Sequence, residues 1–326
     1  MRKGKELILA TKPFAKEDRR KSWLHFISTL LLLGLAITAT TFPLHPLIRL
    51  GFSVLTALLM VRFFAMYHDF LHRAILKGSK IANAIFTIYG YYTLNAPSIW
   101  KRSHDYHHKH NSKLFSSSIG SFPIYTKEQY NELPRSEQLR YLFIRHPLTI
   151  LFGYLFAFWY GMTVLSLLRN PSKHWDSAIA LVFHHAVGIA IIIFAGWPTF
   201  WFTFMIPALI SSFLGSYLFY AQHNFPGALF ADKEHWSYAD AALRSTSYMK
   251  MNRIMHWFTG NIGYHHVHHM NALIPFYKLP EAHKAFPEFD IVTRTSLSPI
   301  EMFRCLQMKV WDPEANRMLK LNEIKG

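Results

Sequence analysis

Four long apolar runs limit what this chain can become: Trp23 to Phe42, Leu47 to Tyr67, Ala178 to Trp197 and Thr199 to Ala221. About 20 such residues wound as a helix cross roughly 30 Å of bilayer hydrocarbon. Arg49 and Arg62 lie near the ends of the second run, where a long side chain reaches the headgroups. Pro43 and Pro46 sit in a short linker that folds the first two runs into a hairpin. Gly196-Trp197-Pro198 does the same for the last two. Hydrophobic residues are 51% of the chain and charged ones 17%, a balance that suits a membrane protein with a sizeable water-facing part. The net charge of +16 therefore reads as contact with anionic lipid and acidic proteins, and no nucleic-acid partner is expected. Cys305 is the only cysteine, so neither an internal disulfide nor a thiolate metal cage is available. The first 22 residues are too charged for a cleavable signal peptide.

Three histidine clusters adjoin these runs. They are His68-Asp69-Phe70-Leu71-His72, His104-Asp105-Tyr106-His107-His108 and His265-His266-Val267-His268-His269. On a helix, positions i, i+3 and i+4 share a face. His68 and His72 form an i, i+4 pair; His104, His107 and His108 form an i, i+3, i+4 set; His265, His268 and His269 repeat it. Polar side chains beside a membrane are costly, so this repetition points to metal ligation. His223, just past the fourth run, is a ninth candidate ligand. Nine imidazoles exceed what one metal needs. All-nitrogen ligation without thiolates or a carboxylate cluster suits iron. Iron with open positions implies dioxygen chemistry, and a site at the bilayer surface implies a lipid substrate. Asp69 and Asp105 each follow a cluster histidine and are candidates to accept its second N–H. His184 and His185 lie mid-run and read as cross-helix hydrogen bonders or cavity-lining residues rather than iron ligands. His25, His45, His146, His174, His235, His256 and His283 read as ordinary interfacial or surface residues.

Shared metals fix the topology. Clusters that meet must lie on one face of the membrane, so the chain between any two crosses an even number of times. The apolar stretch 81–100 is therefore laid on the interface, and 150–168 is interfacial or re-entrant. Basic residues cluster in the N-terminal arm, in the segment from Arg73 to Arg145 and in the C-terminal part, which places all three in the cytoplasm. The expected fold is an all-α integral membrane protein with four transmembrane helices in two hairpins and a cytoplasmic helical cap. It is a single domain over 1–326. The basic arm is 1–22, the first hairpin 23–67, the segment with the first two clusters 68–177, the second hairpin 178–221 and the cap 222–326. Both termini and the metal site face the cytoplasm.

The clusters resemble the three histidine boxes of the membrane fatty-acid desaturase superfamily: His68-x-x-x-His72, His104-x-x-His107-His108 and His265-x-x-His268-His269, in that order. Trp100-Lys101-Arg102-Ser103 before the second and Asn261-Ile262-Gly263-Tyr264 before the third fit too. The run Gly260 to Leu279 looks most like bacterial acyl-lipid desaturases, and the likeness spans about residues 20 to 290. It implies two non-haem iron ions, dioxygen as co-substrate and a cis double bond placed in the acyl chain of a membrane lipid or acyl thioester. It also implies a bacterial inner-membrane location, and the family's additional histidine fits His223. Many acyl-lipid members read Asp-Cys-Gly-His after the leading histidine, where this chain has Asp69-Phe70-Leu71-His72. No His-Pro-Gly-Gly haem motif occurs, so electrons are expected from a separate carrier such as ferredoxin or flavodoxin. Rival readings are a lipid or carotenoid hydroxylase or ketolase of the same superfamily, a single-zinc membrane hydrolase and a metal transporter.

Overall fold

The computed structural model describes residues 2–116 and 120–324, and most of them are helical. Asp18 caps the helix Arg19–Thr41 by accepting from the Lys21 N–H at 3.0 Å, one of the donors that a helix start leaves open. The helix Pro46–Leu71 begins with a proline where no N–H is needed. These two helices and the 47-residue stretch Trp175–Ala221 are long and apolar enough to cross a membrane. Only 17% of the most apolar window of that third stretch is buried against protein, so its remaining surface needs an apolar solvent.

That third stretch doubles back on itself. Gly196 takes φ 78° and ψ 168°, a conformation that glycine adopts without a side-chain clash. A β-carbon placed on Gly188 would lie 3.2 Å from the Phe200 ring and 3.4 Å from that of Phe204. Sixteen residues of straight helix would separate Gly188 and Phe204 by about 24 Å. The reversal falls at the Gly196-Trp197-Pro198 turn read from the sequence. Polar groups stitch the long helices together. Thr40 Oγ1 lies 2.7 Å from Thr203 Oγ1, Ser53 Oγ donates to the Phe202 carbonyl at 2.5 Å, and Arg49 Nε donates to the Thr40 carbonyl at 2.9 Å. Such bonds hold apolar helices in register where lipid offers no alternative partner.

Two expectations need correcting. Arg62 does not reach for headgroups. It is buried, donates from Nε to Thr29 Oγ1 at 3.0 Å and to the Trp257 carbonyl, and lies 3.9 Å from the centre of the Trp257 ring. Its neighbours on the cap satisfy it before it can extend. Nor is the cap wholly α-helical. Tyr248–Lys250 pairs parallel with Arg294–Ser296, and Met308–Asp312 pairs antiparallel with Arg317–Lys320. Both faces of this pair are buried, Val310 and Leu319 against Tyr130 and Tyr141, and Trp311 and Met318 in the cluster with Met308, which favours strands there. Asp312 Oδ1 closes their turn by accepting from the Glu314 and Ala315 N–H groups.

The two ambiguous stretches form shorter pieces. Lys80–Tyr92 has 13 residues, about 20 Å of helix, short of the hydrocarbon thickness. It stops at Leu94 (φ 59°), and Pro97–His110 starts afresh. Residues 147–169 are helical in three segments, with a π-helix over Tyr154–Val164. This run is tied to its neighbours by Thr163 Oγ1 donating to the Leu94 carbonyl at 2.9 Å and by Tyr154 Oη 2.7 Å from His184 Nε2. His184 Nδ1 lies 2.6 Å from the Tyr92 carbonyl oxygen, so this imidazole is a cross-helix hydrogen bonder.

Candidate metal centre

Local helical spacing sets up each cluster, and the packing of helix ends brings them together. His68 and His72 end the helix Pro46–Leu71, where the His72 N–H donates to the His68 carbonyl at 3.1 Å. His104, His107 and His108 project from the inner side of Pro97–His110. His265, His268 and His269 occupy the short helix His265–Met270. The turn before that helix passes close to the second long helix. Gly260 has φ 56°, and a β-carbon there would lie 2.6 Å from that of Ala65, so glycine is required for the third cluster to reach the first. His223 follows directly on the helix that ends at Ala221.

All nine candidate ligands converge. His68, His72, His104, His108 and His268 form one group, and His107, His223, His265 and His269 form another. Within each group the ligating atoms lie within 4.8 Å of one another. The groups abut, with the His108 and His269 rings stacked 4.2 Å apart. In the first group Nε2 atoms approach in a chain: His68 to His104 at 2.8 Å, His104 to His108 at 3.1 Å and His108 to His268 at 3.0 Å. In the second the chain is His107 to His223 at 3.0 Å, His223 to His265 at 2.9 Å and His265 to His269 at 3.1 Å.

Hydrogen bonding does not explain these contacts. One Nε2 carries either one proton or one lone pair, so it cannot serve two such neighbours well. His68 Nδ1 donates to Asp69 Oδ1 at 3.2 Å, and His223 Nδ1 donates to the Ser245 carbonyl at 3.2 Å. Both therefore aim a lone pair inward, and a cation shared among lone pairs resolves the repulsion. Metal–nitrogen bonds of about 2.1 Å set at right angles separate nitrogens by about 3.0 Å, against about 3.4 Å at the tetrahedral angle. The Nε2 separations of 2.8–3.1 Å are short enough for a shared cation, and an all-nitrogen donor set without thiolate or carboxylate suits iron. Burial, and then the neighbouring imidazoles, hold His72, His104, His107, His108, His265, His268 and His269 well below the usual imidazole range. Burial takes His223 down to about 4, against the opposing effect of the Ser245 carbonyl. These eight are thus neutral and free to ligate at physiological pH.

The two aspartates part company. Asp69 is buried and joins His68 to the cap, since its Oδ2 accepts from the Phe276 N–H at 2.6 Å. Among the described residues, Asp105 makes no hydrogen bond to an imidazole. Its carboxylate turns to the outer face of its helix and takes Lys101 Nζ at 2.6 Å, one turn away. Spacing alone could not find the Ser245 carbonyl. Trp100 was findable: it lies one helical turn before His104 and stacks on it at 5.0 Å and 14°. His283, read as a surface residue, is half-buried with Nδ1 2.9 Å from His266 Nε2. His110 stacks on Tyr106 at 3.7 Å and bonds back to its carbonyl, away from the centre.

A cavity of about 580 Å³ opens onto His68, His104 and His265. Phe64, Ile150, Phe158, Met162, Leu218 and Phe219 give it an apolar lining. Arg140, more than half exposed, also borders it and marks an end open to solvent. Pockets of this size and character bind small or extended apolar ligands.

The comparisons with known proteins agree with this arrangement. The "Fatty acid desaturase" family model matches residues 44–294. A "Fatty acid desaturase" of Bacillus subtilis (strain 168) is 27% identical, covering 99% of this chain and 92% of that protein. An "sn-1 oleoyl-lipid 12-desaturase" of Anabaena variabilis is 23% identical over 84% of this chain and 78% of its own length. A chloroplastic "Omega-6 fatty acid desaturase" of Glycine max is 24% identical over 72% of this chain and 55% of its own. With the family model matching from the second apolar run through the third histidine cluster, the chain belongs to the fatty acid desaturase family.

Proposed function

We propose that this desaturase introduces a cis double bond into the acyl chain of a membrane lipid, using two iron ions held by the nine imidazoles. The observation that carries the reading is an apolar cavity ending on three of those imidazoles, with the two groups adjoining. When bound, the irons supply dioxygen activation and the removal of two hydrogens from adjacent methylenes. The balance is –CH2–CH2– plus O2, two electrons and two protons, giving –CH=CH– and two waters.

The chain's own residues do the rest. His68, His72, His104, His108 and His268 hold one ion, and His107, His223, His265 and His269 the other. Asp69 and the Ser245 carbonyl fix the tautomers of His68 and His223, which keeps their lone pairs aimed inward. Apolar side chains exclude water from the reacting methylenes. Arg140, at the open end of the cavity, offers a guanidinium to an anionic headgroup. We further propose four crossings, as two hairpins that meet their turns on the far side. The N-terminus, C-terminus and metal centre then face the cytoplasm, as the basic residues favour. A separate protein, ferredoxin or flavodoxin, delivers the electrons.

Expression in a host with saturated lipids, followed by mass spectrometry of its acyl chains and iron analysis of the purified protein, tests this. The expected result is a new population of mono-unsaturated chains and about two irons per chain. Hydroxylated chains in place of unsaturated ones would overturn the reaction, and one zinc per chain would overturn the metal.

A further inference from the structure

Most imidazoles at the centre have no hydrogen bond leading outward. Among the described residues, Nδ1 of His104, His107, His108, His265 and His268 is buried without a partner. The His68 link runs through Asp69 to a buried backbone N–H, and the His223 link ends on a buried carbonyl. Beside the centre, and joined to it through the backbone alone, His266 makes a hydrogen bond that leads towards water, its own Nδ1 being buried without a partner among the described residues. His266 is fully buried and stands in the chain between His265 and His268, which belong to different groups. Its Nε2 lies 2.9 Å from Nδ1 of His283, on the helix Leu279–Ala285. The His283 ring is half-buried, with Tyr248 at 5.0 Å, Tyr264 at 5.3 Å and Phe289 parallel to it at 6.2 Å. The chemistry proposed above does not use this aromatic column.

The surface around it is basic. Lys284 and Arg294 face His283, with Asp290 the opposing charge. Lys250 lies on the strand paired with Arg294–Ser296, and Arg253 follows three residues on. Lys250, Arg253, Lys284 and Arg294 are all exposed, against Glu281 and Asp290.

We propose that His283 and His266 form the electron entry to the metal centre, and that the basic patch around them docks a small acidic one-electron carrier protein. The inference rests on the iron reading above. Each turnover oxidises two carrier molecules by one electron each. Each electron passes from the carrier at His283 across one hydrogen bond to His266, and from there along the backbone to His265, which would hold one of the irons. The two protons come from solvent and leave in the water formed. A basic patch raises the encounter rate of an acidic partner, most strongly at low salt.

The test uses the iron-loaded full chain and a reduced [2Fe–2S] ferredoxin as probe. Three quantities are read: iron per chain, reduction by methyl viologen, and reduction by ferredoxin in stopped flow. His283→Phe is expected to keep its iron and its viologen rate while losing most of its ferredoxin rate. The pair Lys284→Glu and Arg294→Glu is expected to slow the ferredoxin reaction about tenfold at low salt, with the difference shrinking as salt rises. If His283→Phe sheds its iron, this surface pair carries the test. A wild-type ferredoxin rate in an iron-loaded His283→Phe protein overturns the entry route, and an unchanged rate and salt dependence in the charge-reversed pair overturns the docking surface. An unmutated protein that holds no iron overturns the metal reading itself, and is told apart by the iron analysis alone.

Discussion

Asp69→Asn removes an acceptor while leaving the shape of the side chain almost unchanged. In the native protein Oδ1 accepts from His68 Nδ1 and Oδ2 accepts from the Phe276 N–H. Asparagine has one oxygen for these two buried donors, and its NH2 must face the other. If the clash falls on Phe276, a backbone donor is left unsatisfied inside the protein, at a cost of about 1–3 kcal/mol. If it falls on His68, the ring is driven to carry its proton on Nε2, the atom that faces His104 at 2.8 Å. One lone pair of the five-imidazole group is then lost. Partners of this kind typically contribute about 10–100-fold to metal affinity, equivalent to about 1.4–2.7 kcal/mol. The assay is iron release from the purified variant during dialysis against graded chelator. The expected outcome is biphasic: the five-imidazole group empties at about 10–100-fold lower chelator, and the group of His107, His223, His265 and His269 follows the wild-type curve. Superimposable release curves together with an unchanged thermal midpoint would refute the claim that Asp69 serves both donors and governs the His68 tautomer.

Asp105→Asn is the matching control. Its ion pair with Lys101 is partly exposed and within reach of solvent screening, so stability should change by no more than about 1 kcal/mol, and iron content should not change; loss of iron would place Asp105 at the centre after all. Arg145→Ala should be severe. That guanidinium is fully buried and donates to the Pro123 carbonyl at 2.7 Å, Asn224 Oδ1 at 2.6 Å and the Met308 carbonyl at 3.2 Å. Losing it should lower stability by about 3 kcal/mol, read as a fall in the thermal midpoint in detergent. The metal-free protein should weaken in acid. Its central imidazoles are held below the free-histidine value of about 6.5, so below that pH the unfolded chain binds more protons than the folded one. Stability is then full above about pH 6.5 and is lost as the pH falls towards about 4, the value for His223. Denaturant midpoints measured down this range should fall, and a midpoint that rises on acidification would contradict the assignment of buried neutral imidazoles.

Much of the site was legible because it is written in local spacing. The i, i+3, i+4 pattern aligns His104, His107 and His108 on one helix face wherever that helix goes, and the same holds for His265, His268 and His269. The apolar runs likewise announce long helices, and glycine with proline announces the reversal at Gly196. The fate of the aspartates was not legible. Asp69 and Asp105 stand in the same place relative to a cluster histidine, but one ends a helix under the Phe276 backbone and the other faces out beside Lys101. The short strands near the C-terminus were missed because segments of four or five residues carry too little periodicity to tell strand from helix.

By itself the sequence determined that the chain makes membrane-length helices and carries three sets of imidazoles in helical register. Both follow from interactions within a few residues. Only the tertiary structure decided that the second and third clusters each divide between two groups, five imidazoles in one and four in the other. It also decided that His266 is linked to His283 rather than to a metal. Neighbouring residues on a helix point about 100° apart, so which imidazoles meet depends on how three helix ends are rotated against one another. That rotation is set by contacts between residues far apart in the chain, such as Gly260 against Ala65 and Asp69 against Phe276.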